Sequence, residues 1–198
     1  MYRIKVKNKD SGQELLVWEH YDRSKKDYVY YLDLDLKDCI DMSEYEVVEE
    51  EEGGIPFNMF GIECAKGWFP LIKPIIDYID NYNTDKVKIE QIKIMQIKEK
   101  FAALEIYVSH GTPELFDMID NATKESENIC EFCGTKENIG STQGYYMTCC
   151  HSCCKDLAKH HGHSYFWHNY NDDNVYLIHP DDDDDLISSI SEYKASMP

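Results

Sequence analysis

Hydrophobic and polar positions alternate along the first part of the chain and then change period. Tyr2, Ile4 and Val6 alternate with Arg3, Lys5 and Lys7, residues 8–12 carry turn-forming side chains, and residues 15–21 and 28–36 repeat the two-residue period. This pattern predicts a three-stranded antiparallel meander. Leu32, Leu34 and Leu36 then share one face of the third strand, which leaves Asp33 and Asp35 facing solvent and not gathered around a metal. From Trp68 the period lengthens: Trp68, Leu71, Ile72, Ile75, Ile79 and Tyr82 recur at helical spacing. They predict an amphipathic helix over 70–82, with Pro70 in its first turn and Pro74 either in the first turn of a later-starting helix or at a kink. Trp68 reads as a core anchor.

Strand character returns at Val87 and Ile89, Ile92, Ile94 and Ile97 break phase as at a bulge, and 96–108 reads as a hairpin. A second helix is predicted to about residue 126, with Thr112 as N-cap, Pro113 at the first helical position, Glu114 beside the positive helix end, and Leu115, Met118, Ile119 and Ala122 buried. A short helix over 154–161 and a terminal one over 186–193 complete the pattern.

Cys130-Glu131-Phe132-Cys133 is followed after sixteen residues by Cys150-His151-Ser152-Cys153. This is the spacing of a four-thiolate zinc ribbon. Each pair sits in a tight turn that brings two sulfurs to one side, and Gly134 suits such a turn. Four sulfurs complete a tetrahedral ion, so one structural zinc is the expected cofactor. It would add on the order of 10 kcal/mol to folding and leave no position for substrate. Cys149 and Cys154 offer rival registers, because Cys149 with Cys153, or Cys150 with Cys154, leaves three intervening residues where the favoured inner pair keeps two. Cys39, Cys64, Cys149 and Cys154 show no disulfide pattern, and residues 1–7 alternate where a leader would build an apolar core. A reduced cytosol is the expected compartment.

The predicted fold class is therefore α+β: an antiparallel β-sheet with two or three helices and a C-terminal zinc-ribbon-like module. Its expected segments are a β-rich region with an acidic linker (1–52), an α+β core of helix, hairpin and helix (53–127), the ribbon (128–160) and a tail rich in histidine, aromatics and aspartate (161–198).

Composition leaves room for that core, with 42% hydrophobic residues in 198. No apolar run approaches the 18 or so residues that cross a bilayer, so no membrane partner is expected. Charge changes the picture more. The chain carries 38 acids against 20 bases, a formal net charge of −18, and its only arginines are Arg3 and Arg23. Phosphate is repelled and the guanidinium fork is scarce, so direct nucleic-acid binding is not expected even beside a ribbon. The acidic run 44–52, ending in Gly53-Gly54-Ile55-Pro56, reads as a linker or an exposed strand end. Lysines 86, 88, 93, 98 and 100 read as a solvated strand face.

The tail offers an alternative chemistry. His160, His161, His163 and His168 fall within nine residues, and with Asp172 or Asp173 they could hold a second metal as a hydrolase or nuclease does. No His-Glu-x-x-His pattern accompanies them, and no catalytic residue is assigned. The favoured account is an aromatic, histidine-rich peptide that packs on the ribbon or meets a partner, followed by a solvated loop at 181–185. A nucleotide-sequestering binder using Trp68, Tyr107 or Lys100 is a third reading; it lacks a phosphate-cradling glycine loop.

Four blocks in order, Gly67-Trp68-Phe69-Pro70-Leu71-Ile72, Gln96-Ile97-Lys98-Glu99-Lys100-Phe101, Ile129-Cys130-Glu131-Phe132-Cys133-Gly134 and Met147-Thr148-Cys149-Cys150-His151-Ser152-Cys153, resemble a family of bacteriophage and prophage proteins of unassigned function. The resemblance covers about residues 61–154 and places the second ligand pair on Cys150 and Cys153. The two glycines, leucine and arginine that the family carries after the second block stand here as Ala102, Ala103, Leu104 and Glu105. The resemblance implies a phage context in a bacterial host cytosol, and implies no reaction. Combined with the charge, it leads us to expect a non-enzymatic, zinc-stabilised acidic protein. Its partner would be a host protein with a basic surface, in the extreme case a nuclease or defence factor inhibited by mimicry of nucleic-acid charge.

Overall fold

Residues 2–22, 25–48 and 61–196 are those the computed structural model describes, and their fold is α+β with antiparallel sheets and four α-helices. The glutamates at 49–52, the Gly-Gly-Ile-Pro stretch and residues 57–60 lie outside the described residues. Strands β1 (Tyr2–Asn8), β2 (Glu14–Asp22), β3 (Asp27–Tyr31), β4 (Cys39–Ile40) and β5 (Tyr45–Val47) form an antiparallel sheet in the order β4-β3-β2-β1-β5. Strands β6 (Ile62–Glu63), β7 (Ile94–Lys100) and β8 (Ala103–Val108) form a second sheet, in which β6 runs parallel to β7. The third, antiparallel throughout, has the order β10-β9-β11-β12-β13, from β9 (Ile139–Thr142), β10 (Thr148–Cys150), β11 (Tyr165–Asn169), β12 (Asn174–Ile178) and β13 (Asp185–Ser189). The helices are α1 (Phe69–Asn83), α2 (Pro113–Ser126), α3 (His151–His161) and α4 (Ile190–Ser196). The chain divides into two compact units: Met1–Glu63, Phe69–Lys98 and Glu105–Ile119 make the first, and Cys64–Trp68, Glu99–Leu104 and Asp120–Pro198 the second.

In the first unit the meander turns where its side chains bind backbone. Asn8 Oδ1 accepts the Asp10 and Ser11 N–H groups, closing the β1–β2 turn and setting Ile4 opposite Val17. The third strand is shorter than alternation predicts. Asp33 Oδ1 accepts the Leu34 N–H at 2.6 Å, Asp35 Oδ1 accepts the Lys37 N–H at 3.1 Å, and Leu36 is left-handed with φ 57°. These local bonds replace the strand ladder after Tyr31, so only Leu34 of the three leucines is buried. Helix α1 buries Phe69, Ile72, Ile75, Ile76 and Ile79, and Pro74 lies inside it with its ring outward. The strand expected at Val87 and Ile89 is a 3-10 turn over Lys88–Glu90, with Ile89 90% exposed. Instead, Asn83 clamps Ile92, accepting its N–H at 2.8 Å and donating to its carbonyl at 2.9 Å. Helix α2 starts where the sequence places it, with Thr112 Oγ1 accepting the Leu115 N–H.

The second unit is built around Cys130, Ile139, Cys149, Cys150, Cys154, Trp167 and Ile178. The histidine- and aspartate-rich segment contributes β11, β12 and β13 to the same sheet as the ribbon strands β9 and β10. Residues 186–189, expected to be helical, pair with β12 instead, and helix begins only at Ile190, whose N–H donates to the Asp173 carbonyl.

Candidate metal centre

The two Cys-x-x-Cys pairs are positioned by different local structures. The first is a tight turn: the Gly134 N–H donates to the Cys130 carbonyl at 2.9 Å, the Cys130 N–H donates to the Thr135 carbonyl at 2.8 Å, and Gly134 takes φ 78°. The second is a strand-to-helix junction. Cys150 ends β10 and caps α3, its sulfur accepting the Cys153 N–H at 3.5 Å. Helix α3 therefore starts three residues earlier than expected, and both sulfurs sit at its positive end, which favours thiolates.

The four sulfurs of Cys130, Cys133, Cys150 and Cys153 all lie within 4.8 Å of one another. Those of Cys133 and Cys150 are 3.7 Å apart. Bonds of 2.3 Å to a tetrahedral zinc demand edges of about 3.8 Å, so the donor set fits that ion with little adjustment. Its electrostatics call for a cation. Burial, followed by the charge of Cys130, pushes the Cys150 thiol up to about 11, and the same causes push Cys153 higher. Cys133 is pulled below the usual thiol range, because hydrogen bonds from the Thr135 N–H and the neighbouring sulfurs outweigh its burial. Four sulfurs so crowded resist ionising together, and a divalent ion at their centre reverses that balance. This is a single structural zinc site.

The rival registers fail on placement. Cys149 and Cys154 are fully buried, and their thiols pair with each other, an interaction that with burial raises the Cys149 thiol far above its ordinary value. The Cys149 carbonyl accepts the Trp167 indole N–H at 3.1 Å. These two cysteines are core. Cys39 is exposed on β4, Cys64 is half-buried beside Glu131, and all eight cysteines are free of disulfides.

The sequence reading missed the cradle beneath the first turn. The Gly67 N–H donates to the Glu131 carbonyl at 2.7 Å, the Ala65 N–H donates to Glu131 Oε1 at 3.0 Å, and the fully buried Trp68 donates its indole N–H to the Ile129 carbonyl at 2.9 Å. Burial pushes the Glu131 carboxyl up to about 7 despite that bond. The opposite hairpin tip joins in: Thr148 Oγ1 donates to the Ala102 carbonyl at 2.6 Å, and the Thr148 carbonyl accepts the Glu131 N–H. Gly67 immediately before Trp68 was the one legible signal.

Three of the histidines pack ring against ring, His161 lying 5.1 Å from His160 and stacking on His163 at 5.7 Å between centroids, without forming a metal-sized donor group. His161 Nδ1 pairs with the Tyr165 hydroxyl at 2.6 Å, whereas His168 is drawn away to Asp173, with Nε2 at 2.8 Å. Among the described residues the four cysteines are the one group of three or more metal-type side chains close enough to share an ion. Of the residues named for the third reading, Trp68 is inside the core, whereas Tyr107 and Lys100 are exposed. No helix of the described residues is long and apolar enough to cross a membrane. In comparisons with known proteins, no family model matches the chain, and no curated protein or solved structure does.

Proposed function

We propose that this chain is a non-enzymatic, phage-type protein that uses zinc as a structural clasp and works by binding a basic host protein. The observation that carries the reading is a net charge of −18 on a fold whose metal centre takes all four ligands from cysteine. Sulfur fills every position of a tetrahedral ion, so the metal holds backbone and offers nothing to a substrate. The acids are displayed at a cost. On α2, Glu114, Asp117 and Asp120 are all exposed and follow each other at three-residue spacing, a like-charge arrangement that weakens a helix. A surface of this kind steers toward a positive patch and competes with nucleic acid for it, which is the physical basis for inhibiting a nuclease or a defence factor. The resemblance of the sequence blocks to phage and prophage proteins supplies the host context.

Retention of host proteins on the immobilised, zinc-loaded chain tests this reading. A basic protein from bacterial lysate should bind at low salt and elute by about 0.5 M, where charges are screened within a few ångströms. Replacing Asp181 to Asp185 by asparagine should lower the retention. Retention that ignores salt, or that selects no basic protein, refutes the reading.

A further inference from the structure

In the second unit, beside the start of α3, a cleft of about 470 Å3 opens between aromatic side chains and the aspartate run. We infer that it seats the guanidinium group of an arginine side chain. That such an arginine belongs to a basic partner rests on the function proposed above.

One wall is aromatic. The Trp167 ring meets His151 edge-on at 5.5 Å between centroids and Tyr176 at 6.4 Å, and all three line the cleft. The facing wall is held firmly: Asp184 takes His151 Nε2 at 2.5 Å, Lys155 Nζ at 2.8 Å and the His179 N–H at 3.2 Å. That anchoring leaves the neighbouring Asp183 at the cleft without an ion pair or hydrogen bond among the described residues. Asn138 lines the cleft with its side-chain amide likewise unused, and Asn169 Oδ1 accepts only the Asn171 N–H at 3.0 Å. The recess thus presents an unpaired carboxylate, two side-chain amides and the partly exposed rings of His151 and Tyr176 backed by the buried Trp167, with no lysine or arginine in its lining.

A guanidinium matches this set group by group. Its five N–H donors lie in one plane and need several acceptors around an edge, while its flat face rests on aromatic carbon. An ammonium is a point charge that uses fewer of these acceptors. An anion meets Asp183 directly. The volume exceeds one guanidinium and leaves room for the flanking peptide.

The test is nuclear magnetic resonance on the zinc-loaded full chain, titrated separately with N-acetyl-arginine amide, N-acetyl-lysine amide and neutral glucose. Arginine should shift the Trp167 indole N–H and the Asn138 and Asn169 side-chain amides saturably, and lysine should bind about fivefold more weakly. Asp183→Asn should weaken arginine binding about tenfold, whereas Asp120→Asn, the same charge change on exposed α2, should alter it less than about twofold. Tyr176→Phe keeps the ring and should bind like the original, while Tyr176→Leu should not. Equal losses from the two aspartate variants, or shifts that never saturate, mean bulk charge alone and overturn the site. Equal binding of lysine, or preferential binding of glucose, overturns the guanidinium assignment. If the arginine probe fails while salt-sensitive capture of a basic host protein persists, the cleft is refuted and the proposed function stands. If the probe docks and no basic protein is captured, the reverse holds.

Discussion

Gly67 lies so close to Cys130 that a Cβ built on it would come within 2.2 Å of the Cys130 carbonyl oxygen, and within 2.6 Å of the Gly134 nitrogen. Both atoms belong to the turn that presents the first sulfur pair, so no side chain fits without moving the ligands. Gly67→Ala should therefore lower stability by at least about 3 kcal/mol, the upper range of overpacking. It should also weaken zinc binding, although residue 67 touches no metal. Chelator competition together with thermal melting measures both effects, and an unchanged zinc affinity would contradict the cradle.

Zinc content separates ligand from core among the six cysteines of the ribbon. Metal analysis should give one zinc per chain, and Cys133→Ser should abolish it while disturbing little packing, because Cys133 is exposed. Stability of the second unit should then fall by several kcal/mol, within the order of 10 kcal/mol that such sites contribute. Cys149→Ala and Cys154→Ala should keep the full zinc content and lose only about 1 kcal/mol of packing each.

The β7–β8 connection stores backbone strain that can be relieved. Phe101 and Ala102 are its two residues, and both are left-handed, with φ 52° and 65°. That is the backbone of a tight hairpin turn that favours Asn-Gly, and left-handed backbone costs an ordinary residue about 1–2 kcal/mol. Phe101 is 78% exposed and gives up little burial on replacement. Phe101→Asn with Ala102→Gly should raise stability by about 1 kcal/mol in urea unfolding.

Tyr176 donates its hydroxyl to Asp172 Oδ2 at 2.6 Å. That bond, followed by burial, raises the phenol above its ordinary value of 10.0, and it is also the main cause that holds the Asp172 carboxyl below 3.8. A raised folded value means that the phenol's contribution to stability is fully present below its unfolded value and is lost as pH rises through the folded one. The carboxylate's contribution is present above its own unfolded value and is lost as pH falls through its depressed one. Asp172→Asn should return the Tyr176 titration toward 10, as read from its ring carbon resonance. An unshifted titration would show that the pair does not form.

Much of the fold was legible because short-range physics governs it. Thr112 caps α2 and Pro113 opens it as expected, the periodic isoleucines of α1 are its buried face, and the Asn8 turn closes β1 on β2. The misreadings arise where other partners compete for the backbone, side chains in two cases and a neighbouring strand in the third. Asp33 and Asp35 end β3, Asn83 takes Ile92 out of phase, and pairing with β12 draws 186–189 into a strand. Alternation alone does not register such bonds.

The spacing of the cysteines by itself pointed to a four-thiolate metal site and favoured Cys150 with Cys153 over the registers through Cys149 or Cys154, because two intervening residues let both sulfurs of a pair reach one ion. Net charge, likewise, is a sum over the chain that no folding alters. The tertiary structure alone decided that Gly67 seats the first turn, that Cys149 and Cys154 turn inward, and that Asp183 faces Tyr176 and Trp167 across a cleft. Those relations join residues far apart in the chain, and only the closure of the fold brings them within contact distance.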